Sequence, residues 1–206
     1  KTQVNAGTDQ AGPQATYVYR TPGIYTITLT ASIMNSAGAV TSAKITTLVT
    51  VTAFTGATRH FDPADGHDSN DGLTQHTAKR SWAEFSAWIT GGDDRRALLR
   101  RGTTMSATSG LSIERSRIRI EPYGVGAAPI IEAGPGFPGS TSLILVWGKH
   151  HLDDQIYSGL RLHGRGRANT VVKVYSEDDP GAENVGLIDC TFENNLPNGK
   201  SLIIVA

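Results

Sequence analysis

The stretch RHFDPADGHDSNDGLTQHTAKRSWAEF, residues 59–85, concentrates acids, amides and glycines as a cation-binding loop does. Calcium takes about six to eight oxygen ligands, and Asp65, Asp68, Asn70 and Asp71 could supply several. The EF-hand register is absent, however. Counted from Asp68, positions three and five are Asn70 and Gly72, and no Glu closes a twelve-residue loop. The competing reading is structural: short Asp and Asn side chains accept from nearby backbone N–H groups, while Gly66 and Gly72 take the positive-φ positions of consecutive turns. That reading is the favoured one. It requires no cofactor, and calcium is the ion the loop would otherwise hold.

Paired carboxylates suggest a second chemistry. Asp153–Asp154 and Asp178–Asp179 could serve glycoside hydrolysis, where one acid protonates the leaving oxygen and the other activates water or attacks. Sequence neighbours on a strand point to opposite faces, so an adjacent pair helps only at a turn or bulge. Both pairs sit in turn-like contexts, HHLDDQ and SEDDPG, where solvated turn residues are the ordinary outcome. A lyase would instead need a base such as Lys or Arg and a cation to neutralise a uronate carboxyl. Arg161, Arg165, Arg167 and Lys173 could form a cationic strip for an acidic glycan, against the alternative of a plain solvated face. His150, His151 and His163 lack a third ligand at a zinc-site spacing. Gly164–Ala168, GRGRA, opens no helix and is not a nucleotide loop. Cys190 lies in the alternating run GLIDCTF, which suits a buried, inert thiol better than a nucleophile.

Composition narrows the partners. The 206 residues carry 19 basic and 19 acidic side chains, a net charge of zero, with no basic stripe suited to duplex nucleic acid. No apolar run is long enough to span a bilayer, and KTQVNAGTDQ has no signal-peptide core, so an export signal would lie upstream of Lys1. One cysteine forms no internal disulfide and leaves the redox compartment open.

The elements that would position these residues divide near residue 53. In TYVYRTPGIYTITLTASI, Tyr25, Ile27 and Leu29 share one side and Thr26, Thr28 and Thr30 the other, the pattern of a half-buried strand. Pro22–Gly23 and Asn35–Gly38 mark turns, giving three antiparallel strands over about 50 residues of the kind found in sandwiches. Tyr19, Pro22, Gly23, Tyr25 and Leu29, in the order Y-x-x-P-G-x-Y-x-x-x-L, resemble the second half of a polycystic-kidney-disease (PKD) domain, an immunoglobulin-like module of extracellular proteins. Residues 1–53 lack the earlier strands and the W-D-F-G-D-G-type stretch of that family. A sheet without its partner layer would expose an apolar face. The expectation is therefore a piece of a longer polypeptide, or a neighbouring chain that supplies the layer.

After a linker at 54–58, repetition takes over. LILVWG at Leu143 recurs in character as VVKVYS at Val171 and SLIIVA at Ser201; YSGLRLHG around Leu160 recurs as NVGLIDCTFENN around Leu187. Short β-branched runs between Gly, Asn and Asp turns build coil upon coil of parallel sheet. Ahead of them, Ser81 and Glu84 form a capping-box pattern, and Trp82, Phe85, Trp88 and Ile89 make an apolar stripe at helical spacing. This predicts a helix over about 81–90, which would roof the first coil. Its tryptophans suit cap packing better than sugar stacking.

The order F-D-P-x-x-G-x-D-S-N-D-G-L-T, amphipathic helix, ALLRRGT, SGLSIERSRIRIEPYG and then the coils resembles the opening of a right-handed parallel β-helix of the pectate-lyase-like class, covering residues 59–206. The predicted fold is thus all-β: a partial antiparallel immunoglobulin-like PKD sandwich plus that β-helix with its N-terminal capping α-helix. The resemblance places chemistry on later coils and away from the acidic loop. SLIIVA ends inside an apolar strand, so more coils are expected to follow. Function is expected to be that of an extracellular, cell-surface or virion-surface protein, either a structural rod or a glycan binder, with polysaccharide and further copies or segments of the same protein as partners. The alternative is a polysaccharide lyase or glycoside hydrolase whose active site lies on later coils.

Overall fold

Alternation and turn chemistry write most of the chain as strands, and the computed structural model describes residues 19, 21–148, 152–176, 184–193 and 201–205. Most of the strand expected to end at Tyr19, the Asp178–Asp179 pair and His150–His151 lie outside the described residues. The chain divides into two compact units, 1–55 and 56–206. Among the described residues, no helix is long and apolar enough to cross a membrane.

Among its described residues, the first unit is an antiparallel hairpin of β1 (Gly23–Met34) and β2 (Val40–Val51). Asn35 sets its turn, its Oδ1 accepting from the N–H groups of Ala37 and Ala39. Residues directly opposite in an antiparallel pair share a face. The register therefore gathers Tyr25, Ile27, Leu29 and Ile33 with Ile45 and Val49 on one side. The other side carries Thr26, Thr28, Thr30 and Ser32 with Lys44 and Thr46, and also Ile24, Met34, Val40 and Leu48. Leu29 and Ile45, which pair directly, are 64% and 70% exposed. Tyr25 packs on Tyr19 at 4.0 Å between ring centroids and donates its hydroxyl to Thr21 O at 2.6 Å.

In the second unit every strand pairing is parallel. A first strand, β3 (Ala57–Phe61), begins inside the expected linker. After α1 (Trp82–Thr90) the strands arrive in threes: β4 (Arg95–Arg100), β5 (Thr104–Ala107) and β6 (Leu111–Ile113); β7 (Ile118–Tyr123), β8 (Ile130–Ala133) and β9 (Ser142–Gly148); β10 (Gln155–Ser158), β11 (Arg161–His163) and β12 (Thr170–Ser176); β13 (Val185–Ile188), β14 (Thr191–Glu193) and β15 (Ser201–Val205). Each member of a triplet joins a different sheet, in the orders β13-β10-β7-β4-β3, β14-β11-β8-β5 and β15-β12-β9-β6. The similar runs at Leu143, Val171 and Ser201 are thus neighbours in one sheet.

Period-two alternation turns one residue set inward. Ala97, Ile120 and Tyr157 stack on the first sheet, Met105, Ile131 and Leu162 on the second, and Leu111, Ile144 and Val172 on the third, all buried. Buried Gln155 is satisfied by accepting from the Tyr157 hydroxyl at 2.6 Å and donating to Arg115 O at 2.7 Å. The residue before the first strand of every triplet, Asp94, Arg117, Asp154 and Asn184, has φ between 53° and 59°. These four left-handed residues turn the chain into its next strand.

Helix α1 packs against β4, β5 and β6. Phe85 is wholly buried and meets Phe61 edge-on at 5.3 Å, Trp82 and Ile89 are buried, and Trp88 is half-buried. Ser81 is the N-cap, accepting from Glu84 N at 3.3 Å. The reciprocal arm of the expected capping box is not made by Glu84. Asp68 accepts from Ser81 N at 2.8 Å, while Glu84 pairs with Lys79 at 2.9 Å. At the other helix end, the Arg95 guanidinium donates to Trp88 O at 2.6 Å and Gly91 O at 2.9 Å, placing a cation on terminal carbonyls.

Candidate functional site

Register between coils builds a polar ladder that spacing along the chain conceals. On the outward face of the second sheet, Ser106, Glu132, His163 and Glu193 occupy successive rungs, with Arg161 one step back on β11. Arg161 pairs with Glu193 at 2.8 Å. Arg165, in the turn after β11, reaches Glu132 at 2.6 Å, and Arg167 donates to Ala133 O at 3.1 Å. Three of the four basic residues expected to line a glycan surface therefore gather here. Lys173 does not join them: it lies on β12 in another sheet, its ammonium 4.4 Å from the centroid of the Tyr175 ring. Strands consecutive in sequence fall in different sheets, which is why the single strip expected of all four does not form.

His163 is the residue that spacing alone undervalued. Its side chain is covered, its Nε2 has no hydrogen-bond partner among the described residues, and that atom stands 3.9 Å from Glu193 Oε2. Desolvation, then the neighbouring Arg165 charge, pushes the imidazole below its ordinary pKa, against the opposing pull of Glu193 and Glu132. It is consequently neutral at pH 7. Glu193 is held below the usual carboxylate range, mainly by the hydrogen bond from Arg161. A depressed carboxyl is a poor general acid, because that role needs a proton retained near neutral pH. What the face offers is guanidinium donors for carboxylate or hydroxyl groups, with one neutral imidazole among them.

The acidic loop disperses its ligand candidates. Asp68 Oδ1 accepts from Arg80 N at 3.0 Å as well as from Ser81 N. Burial raises its pKa, but the bonds from Ser81 and Arg80 outweigh that and hold its carboxyl below the usual range. Asn70 donates to Ala78 O, and Asp71 accepts from Leu73 N and the Thr77 hydroxyl. Asp65 meets a cation of the same chain: Arg100 bridges it to the buried carboxylate of Asp62. Gly72 has φ +72°, whereas Gly66 does not adopt positive φ. Gly66 is required for space, since a Cβ there would lie 2.5 Å from both Asp62 O and Lys79 O. Among the described residues no group of three or more His, Cys, Asp or Glu converges as metal ligands.

Asp62, Arg100 and Tyr123 line a cleft of about 360 Å³ under this loop. Burial, then the Asp62 charge, pushes the Tyr123 phenol up to about 12. The Asp153–Asp154 pair is divided between two tasks: Asp153 accepts from Asn184 Nδ2 at 2.8 Å and Asp154 pairs with Arg119 at 2.5 Å. Neither acid faces the other across a cleft. The half-buried thiol of Cys190 donates to Tyr157 O at 3.3 Å, and burial raises its pKa, which disfavours the nucleophilic thiolate. Comparisons with protein-family models, curated proteins and solved structures found no match.

Proposed function

We propose that the chain is a segment of an extracellular structural or glycan-binding surface protein, of the adhesin or virion-fibre type. In this reading residues 59–206 belong to a right-handed parallel β-helix of the pectate-lyase-like class roofed by α1, and residues 1–53 to a PKD-like module. The observation that carries it is the threefold recurrence, in which each new strand triplet adds one parallel rung to each of three sheets. Outward rungs on such a stack present side chains in straight rows about 4.8 Å apart, a spacing suited to meeting an extended polymer at several points. The face around one such row, with Arg161 on β11 and Arg165 and Arg167 in the turn after it, is the proposed contact for an acidic polysaccharide. Other copies or further segments of the same protein are proposed to cover the apolar side of β1 and β2.

The test is a binding panel of uronate, sulfated and neutral glycans against the whole chain, with Arg161→Ala combined with Arg165→Ala. Selective binding of acidic glycans, weakened about tenfold or more by the double substitution, is expected. Equal binding of neutral and acidic glycans would remove the basis for the assignment.

A polysaccharide lyase or hydrolase of the same class is the second reading. It is favoured by one observation, the His163 imidazole on an outward rung beside Glu193 with Arg161 and Arg165 on the same face, since a neutral base near cations suits proton removal next to a uronate carboxyl. Release of unsaturated ends that depends on His163 would establish it.

A further inference from the structure

A second charged site, apart from the ladder, lies against α1. Strand β3, the loop after it, α1 and the start of β4 enclose a cleft of about 340 Å³ lined by Arg59, Lys79, Arg95, Asn70, Glu84 and Trp88. Three cations and one carboxylate converge there. Two of the cations are committed: Lys79 pairs with Glu84 at 2.9 Å and donates to Asp68 O at 2.8 Å, and both Arg95 terminal nitrogens bond helix carbonyls. Arg59 differs. Its guanidinium stands 4.8 Å from the Trp88 ring centroid, and among the described residues no carboxylate lies within ion-pair distance of it.

The Arg95 guanidinium lies 4.4 Å from the same ring centroid. Two like charges held against one indole, with the only lining carboxylate engaged by Lys79, leave the cleft electropositive in a partly desolvated setting, tempered by the Asp71 carboxylate, whose charge reaches Arg59 from beyond ion-pair distance. A guanidinium presents planar donors that match a carboxylate or sulfate group. The covered indole has little face left for a sugar ring. Recognition would therefore come from an oxyanion and not from stacking.

We propose that this cleft binds the oxyanion group, carboxylate or sulfate, of an acidic saccharide, with Arg59 as the direct contact and Arg95 and Lys79 supplying the field. The saccharide part rests on the glycan-binding reading above; the oxyanion part rests on the cleft alone.

The experiment uses the full chain, with tryptophan fluorescence and calorimetry as readouts. The probes are oligogalacturonate, a heparin-derived oligosaccharide, a neutral oligosaccharide and inorganic sulfate. Whichever acidic saccharide binds identifies the oxyanion. Binding should change a fluorescence signal that Trp88→Phe removes, weaken as salt rises from about 0.05 M to about 0.5 M, and fall about tenfold or more in Arg59→Ala. Because Gly72 lies close against the Arg59 stem, Arg59→Lys serves as a gentler variant: it keeps the charge, should fold as the parent does and should retain part of the affinity. Acidic saccharide binding that is unchanged in Arg59→Ala, or matched by the neutral probe, would overturn the cleft assignment and leave the ladder reading intact. Arg59-dependent binding of sulfate with no saccharide bound would instead overturn the saccharide assignment here.

Discussion

Single side chains decide what the polar loops of this protein do. Asp68 supplies the acceptor for two backbone N–H groups at the start of α1, so Asp68→Ala should lower stability by about 1 kcal/mol in urea denaturation. The loss should be the same in calcium and in EDTA. If calcium stabilised the parent and not the variant, the loop would be an ion site after all. Its folded pKa is depressed, so the contribution is present above the unfolded value of about 3.9 and disappears as pH falls through the folded value. His163 gives a second pH dependence in a different window. Its folded pKa is lowered by desolvation, so the neutral form is the folded one, and stability should be complete above about 6.5 and decline as the solution is acidified below it. Urea midpoints between pH 7.5 and 5 for parent and His163→Gln, each pH taken as about, would check this. A slope that persists unchanged in the variant belongs to other groups. The sequence pointed to Asp68 as an acceptor for nearby backbone N–H groups but not to ones 13 residues on, and the place of His163 was not legible, because its partners lie on other coils that only the folded register brings near.

At the scale of elements, strands were legible where side-chain alternation and turn residues agreed. LILVWG and VVKVYS recur because β9 and β12 must fill equivalent rungs, and YSGLRL and VGLIDCTF because β10–β11 and β13–β14 turn the same corner. The strand β3 escaped notice because RHF is polar on one side and too short to show a period. The left-handed corner before each first strand was half visible. Asp94, Asp154 and Asn184 are types that tolerate such φ, but Arg117 is not. Its strain of about 1–2 kcal/mol is offset only in part by the bidentate pair with Asp94, which is solvent-exposed and therefore weak. Arg117→Gly should therefore leave the melting temperature unchanged or raise it slightly; a clear fall would mean that the ion pair is the stronger of the two. The helix answers to packing instead. Phe85 is enclosed by Phe61 and Trp82, so Phe85→Ala should cost about 3–5 kcal/mol and diminish the near-ultraviolet aromatic signal, with Ser81→Ala costing only about 1 kcal/mol. Equal losses from the two would show that capping, not burial, fixes α1.

For the molecule as a whole, the unresolved physical tension lies in the first unit. A two-stranded sheet is marginal alone in water, and β1 with β2 carries an apolar stripe on which the paired Leu29 and Ile45 are largely exposed. The opposite side mixes threonine and serine with Ile24, Met34, Val40 and Leu48, which are also exposed. The proposed cover would lie on the side of Leu29 and Ile45, since a sheet face with apolar side chains gains by burial against a second layer. If another copy of the chain supplies the second layer, mass measured by light scattering should rise with protein concentration. Leu29→Lys combined with Ile45→Lys should then hold the chain at monomer mass, since placing two ammonium groups in a buried layer is strongly unfavourable. Residues 56–206 form a separate compact unit, so the melting of that unit should not change in the double variant. A parent that stays monomeric at every concentration, with the variant indistinguishable from it, would rule out a second copy as the cover.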